Sequence, residues 1–189
     1  LGFSALFVRW ADAPGPVPGF YRMAIASVIL VPVALLRHGN PRRWPPAGLR
    51  FAALGGAALC FDLALWNTAV LYTSAANATL LANTAPLWVA IAAALFLKER
   101  LSGGFWIGLL LVLAGAAAVL GADFLQDFHL GLGDLMAISA GVFYAAYYLA
   151  TQAGRRHLAS LPYVGAAGVT ASLLLFGLVL LLRLPLTGY

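Results

Sequence analysis

Charge is scarce in this chain. Only 9% of its 189 residues are charged and 63% are hydrophobic, against about 25% and about 45 to 50% in soluble domains, so a soluble globular protein is excluded. One cysteine, Cys60, leaves disulfides no part in the structure. The single lysine, Lys98, closes an apolar run, whereas a retinal pigment needs a lysine inside a span. The histidines, His38, His129 and His157, fall in different loops, and no pair has metal-ligand spacing. No nucleophile, base and orienting acid can be assembled, so neither an enzyme nor a cofactor or metal is expected. Rings of like charge and filter-like glycine sequence are also missing, which argues against a channel. The net charge is +5, but the basic residues sit in short loops between apolar runs. There they orient a membrane protein rather than bind nucleic acid.

What is present is apolar sequence, in runs longer than about 18 residues that recur along the chain. That pattern reads as helical spans, not as the alternating ten-residue strands of a lipid-embedded barrel. Residues 1–8 read as the tail of a first span, cut short by Arg9, since about 20 residues are needed to cross a bilayer. With no initial methionine the chain reads as a fragment, and no signal peptide can be judged. Six further spans are predicted at residues 17–36, 51–71, 76–97, 104–121, 132–151 and 161–182. The third and fourth are separated only by residues 72–75. One helix of their combined length would be roughly 70 Å long, so a turn is forced there. Pro32 is expected to bend the second span. In the fifth, Gly104, Gly108 and Gly115 share a stripe with the spacing that lets helix backbones approach closely.

The basic residues orient the spans. Arg37, Arg42, Arg43, Arg50, Lys98, Arg100, Arg155 and Arg156 lie in the loops after spans two, four and six; the alternate loops hold Arg9, Arg183, Asp12, Asp123 and Asp127. By the positive-inside rule the first set is cytoplasmic. The first span then leaves the cytoplasm and the sixth enters it, so a second five-helix unit is inverted relative to the first. Inverted repeats are a hallmark of secondary transporters.

The costly residues concentrate between Phe61 and Leu101. Asp62 lies inside the third span with Trp66 and Asn67 one turn later, and Asn77, Thr79, Asn83, Thr84 and Pro86 interrupt the fourth. Polar groups at membrane depth must be paired, or must face a cavity or a substrate. At about 1.5 Å per residue, Arg22 lies roughly 7 Å below the outer boundary, Trp66 and Asn67 roughly 6 to 8 Å, Asn83 and Thr84 roughly 10 to 12 Å and Asp62 roughly 13 to 14 Å. A shared layer on three helices is what a site near the midplane requires. Alternatives stay open. Arg22 and Asp62 also fit a purely structural pair, because their levels differ by only about 6 Å. Pro86 removes the partner of the Ala82 carbonyl, a break that side chains can repair locally or that offers backbone groups to a ligand. Trp66 and Trp88 fit either packing or a binding wall. In the sixth span Tyr144 lies deep enough to face a cavity, whereas an aromatic belt at the boundary accounts for Tyr147 and Tyr148. The candidate substrate-binding residues are therefore Arg22, Asp62, Trp66, Asn67, Asn83, Thr84, Trp88 and Tyr144, with Pro86 as the helix break. A carboxylate at this depth is disfavoured in its charged form unless Arg22 or a substrate ammonium holds it ionised, which makes Asp62 a candidate proton carrier.

Four stretches carry a family resemblance: FYRMAIAS in span two, LALWNTAVLYTSAANATLLANTAPLWV across spans three and four, FLKERLSGGFWIGLLLVLAGAAAVLG through span five, and GDLMAISAGVFYAAYYLA in span six. The chain resembles the drug/metabolite transporter superfamily, specifically its EamA-like domain, and the likeness covers nearly its whole length. The resemblance implies an all-α integral membrane protein, a polytopic helical bundle of inverted five-helix repeats around a central cavity. Residues 1–121 would be the first repeat with helix one truncated, 122–130 an external loop, and 131–189 the start of an incomplete second repeat. Helices eight to ten of the family are absent, and Lys98 stands where a glycine is common. The function implied is secondary transport, as an exporter, of small polar or zwitterionic metabolites such as amino acids, by alternating access across a prokaryotic cytoplasmic membrane. Its partners would be a small-molecule substrate, the lipid bilayer and protons as a candidate coupling ion, with no nucleic acid and with the oligomeric state left open. The alternative is a helical membrane subunit that packs against a partner and moves no solute.

Overall fold

The computed structural model describes residues 7–8, 10–95, 102–120 and 131–188, and among these all regular structure is helical. Helix α1 spans Pro16–His38, α2 Pro46–Tyr72, α3 Ala75–Ala82, α4 Ala85–Leu95, α5 Gly103–Leu120, α6 Leu132–Gly154 and α7 Ser160–Leu181, with a short 3₁₀ turn at Pro41–Arg43. Five stretches are long and apolar enough to cross a membrane: α1, α2, α3 with α4 taken as one span, α6 and α7; α5 contributes a shorter apolar stretch. The expected spans two to seven are all present as helices. The start of the first span, the acidic loop 122–130 and the Lys98, Glu99, Arg100 group lie outside the described residues.

Local chemistry sets the boundaries. Both α1 and α2 begin with proline in the first turn, where its missing N–H is no loss and its fixed φ suits a helix. Helix α1 runs through Pro32 and stops at Gly39, whose φ of 71° is a left-handed conformation that glycine adopts without strain. The turn forced between spans three and four is Thr73 and Ser74; Ser74 caps α3, its Oγ accepting from the amide of Asn77 at 3.0 Å.

Helix α2 is the centre of the bundle. In its apolar window 50% of residues are buried inside the protein, against 17% for α1 and 39% for α7. Lipid is as apolar as leucine, so helices in a membrane associate through close packing of small residues rather than through a hydrophobic drive. Helix α2 shows this directly: a methyl on Gly56 would sit 2.5 Å from the carbonyl oxygen of Ala167 on α7, and one on Gly48 would sit 2.7 Å from Leu158. At the other end, Gly133 of α6 lies against the backbone of Tyr72 and Thr73. Thr73 Oγ1 there donates to Asp134 Oδ1 at 2.8 Å, while Asp134 Oδ2 accepts from the amide of Gly131 at 3.1 Å.

The two ends differ in charge. The end of α1, the start of α2 and the chain between them, with Arg37, Arg42, Arg43 and Arg50, meet the α6–α7 turn with Arg155 and Arg156, because Gly48 packs on Leu158 and the Phe51 ring stacks on His157 at 6.2 Å. That end is tied by Tyr163, fully buried on α7. Its hydroxyl donates to the Phe51 carbonyl of α2 at 3.2 Å and accepts from Thr151 of α6 at 3.3 Å.

Candidate functional site

Five helices leave a cavity of about 300 Å³ between the packed ends. Helix α1 contributes Arg22, Met23, Ala26 and Leu30, and α2 contributes Leu59, Asp62, Leu63 and Trp66. The end of α3 adds Thr79, Ala82 and Asn83; α6 adds Tyr144 and Tyr147; α7 adds Val164, Ala167 and Gly168. The spacing explains the α2 wall, since Asp62 and Trp66 are four residues apart and so lie one above the other on a helix.

Of the predicted residues, Arg22, Asp62, Trp66, Asn83 and Tyr144 meet in this cavity. Asp62 is 8% exposed. Among the described residues no ion pair joins Asp62 to Arg22, so the purely structural pairing that the sequence allowed is not formed. Both line the same cavity, Arg22 from α1 and Asp62 from α2. Tyr144 Oη accepts from Tyr148 Oη at 2.9 Å, which leaves the Tyr144 proton available to a ligand.

Asn67, Thr84 and Trp88 do not reach the wall. Asn67 is five residues from Asp62, which turns it roughly 140° round the helix at 3.6 residues per turn. It is 3% exposed, and its Nδ2 lies 3.2 Å from where a Cβ on Gly19 would stand, so it packs between α1 and α2. Thr84 and Trp88 are occupied with the break in the fourth span. That break is present: α3 stops at Ala82, and α4 starts at Ala85 with Pro86 in its first turn. It lies beside the cavity, with Ala82 and Asn83 in the wall.

The structure also adds residues. Tyr147 lies in the wall rather than in a boundary belt, and its ring is parallel to that of Tyr144 at 6.2 Å and 6°. The i, i+3 spacing of the two tyrosines was the available signal. Thr79, one turn before Asn83, is reached by the i, i+4 spacing. Met23, Val164 and Gly168 have no polar mark and could not have been singled out.

A cavity with charged and aromatic groups, held inside a bundle of apolar helices, defines a polytopic membrane protein built around a small-solute site. Comparison with family models gives the class its name: residues 1–121 match the EamA-like transporter family. The chain belongs to that family, and hence to the membrane transporters of the drug/metabolite transporter superfamily, which are not enzymes. Neither the curated proteins nor the solved structures contain a match to the chain.

Proposed function

We propose that this transporter moves small polar or zwitterionic metabolites, amino acids among them, out of a prokaryotic cytoplasm by alternating access. The observation that carries the reading is the pair of opposite charges, Arg22 on α1 and Asp62 on α2, lining one cavity without an ion pair between them. Two charges at membrane depth that, among the described residues, form no ion pair are costly unless a ligand completes them, and a zwitterion brings an ammonium for Asp62 and a carboxylate for Arg22. The volume of about 300 Å³ lies at the lower end of ligand pockets, which run about 300 to 1,000 Å³, and so suits a small metabolite. Trp66, Tyr144 and Tyr147 supply flat apolar surface and Asn83 a neutral amide. Protons are the proposed coupling ion, with Asp62 as their carrier. Residues 131–189 are the proposed start of a second, inverted repeat.

The test is flux. The full-length transporter in proteoliposomes, with an imposed pH gradient and a panel of radiolabelled amino acids, is expected to show saturable movement of at least one of them. No saturable flux across that panel and a broader metabolite set would favour the non-transporting subunit instead.

A further inference from the structure

Two of the three predicted site residues that miss the cavity, Thr84 and Trp88, make a specific contact with each other. In an uninterrupted helix the Leu81 carbonyl would accept from the amide four residues on. Here it accepts from Thr84, from the amide at 3.2 Å and from Oγ1 at 2.6 Å. Thr84 Oγ1 in turn accepts from Trp88 Nε1 at 3.1 Å. One hydroxyl therefore ties the last turn of α3 to the first turn of α4 across the proline break. Helix α6 makes room for it: a Cβ on Gly141 would lie 3.1 Å from the Ala82 carbonyl oxygen and 3.2 Å from Thr84 Oγ1. On the far side of the same turn Thr79, Ala82 and Asn83 form the cavity wall, and Asn83 has φ −72° and ψ 2°. A break in a helix frees its two halves to swing, because the hydrogen bonds that would fix their angle are gone.

We propose that Thr84 and Trp88 are positioning residues: their hydroxyl–indole latch sets the angle of the broken fourth span and so holds Asn83 in the wall of the solute cavity. The proposal rests on the reading of that cavity as the solute site. Both residues act through Asn83 and Ala82 and touch no solute themselves.

The test needs no knowledge of the substrate. In the full-length transporter, with Cys60→Ala removing the native thiol, Asn83→Cys and Ala26→Cys are made separately and labelled with a water-soluble methanethiosulfonate cation. Ala26 is in the wall on α1, a different helix from the broken span. Adding Thr84→Val is expected to slow labelling at position 83 by roughly three- to tenfold, the shift in population that follows the loss of about one hydrogen bond. Labelling at position 26 should not change, and the melting temperature should fall by no more than roughly 2 to 4 °C. Thr84→Ser, which keeps the hydroxyl, is expected to label at the parent rate, and Trp88→Phe, which removes the indole donor and keeps an aromatic ring, at an intermediate rate. Should Thr84→Val fail to fold, Trp88→Phe alone carries the test. Equal labelling at position 83 in the parent, Thr84→Val and Trp88→Phe proteins would overturn the latch and leave the cavity reading standing. Absence of labelling at both positions in the parent would overturn the cavity reading, and the latch with it.

Discussion

Arg22 and Asp62 share a cavity without closing on each other, and that geometry separates two roles that a sequence could not. If Asp62 only neutralised Arg22, removing it would break a buried pair and cost roughly 3 to 5 kcal/mol. With no pair to break, Asp62→Asn is expected to shift the melting temperature by less than the roughly 2 to 4 °C that about 1 kcal/mol produces in a protein of this size. It should nonetheless abolish pH-driven flux, because the amide keeps the shape and cannot carry the proton. Arg22→Gln with Asp62→Asn should then be no more stable than Asp62→Asn alone. Melting curves in detergent and flux on the three variants check this; a stable Asp62→Asn protein with normal pH-driven flux rejects the role. At this scale the sequence was legible where cost was the signal. Asp62, Arg22 and Asn83 stand out because each is expensive at membrane depth, and all three reach the cavity. Depth says nothing of azimuth on a helix whose neighbours are unknown, and so Asn67 was grouped with Trp66 although it faces α1.

Elements were more legible than the contacts between them. Length alone forced the turn at Thr73 and Ser74, and Pro86 announced the break that separates α3 from α4. The partner of each helix was not readable, because glycine and alanine occur on every face of this chain. Gly104, Gly108 and Gly115 form the stripe that the spacing rule picks out, yet among the described residues nothing lies within 4 Å of a Cβ placed on Gly108 or Gly115. The close approaches fall on other stripes with the same spacing, Gly48 and Gly56 on α2 and Gly133 and Gly141 on α6, each pair with a buried alanine, Ala52 or Ala137, midway, while Gly55 and Gly154 meet Tyr163. One contact there is directly testable. A methyl on Gly55 would sit 2.5 Å from Tyr163 Oη, so Gly55→Ala is expected to cost about 1 to 3 kcal/mol by overpacking. Tyr163→Phe gives up hydrogen bonds that are individually weak in a membrane, about 0.6 kcal/mol on average. Because the obstructing atom is the hydroxyl itself, Gly55→Ala with Tyr163→Phe should be more stable than Gly55→Ala alone. Equal or additive losses in a double-mutant cycle would show that the clash is relieved elsewhere.

The whole molecule is polarised end to end. The arginines at 37, 42, 43, 50, 155 and 156 collect at the end tied by Tyr163, and the opposite end carries Asp134 with Thr73 and Ser74. If the positive-inside assignment is right, then after Cys60→Ala an impermeant thiol reagent should reach Arg42→Cys only from the cytoplasm and Ser74→Cys only from outside. The reverse pattern would sink the inverted-repeat argument as well. The charge count made this polarity legible before any helix was placed, since short loops between spans have only two sides to choose from. The same gathering of arginines has a consequence for the bilayer itself. Each basic side chain near an anionic headgroup surface gains about 1 kcal/mol, a pull that fades within a Debye length. A cluster of guanidinium groups at one end therefore recruits acidic phospholipid to one leaflet, and the lipid mixture chosen for reconstitution helps decide which way up the protein enters a vesicle.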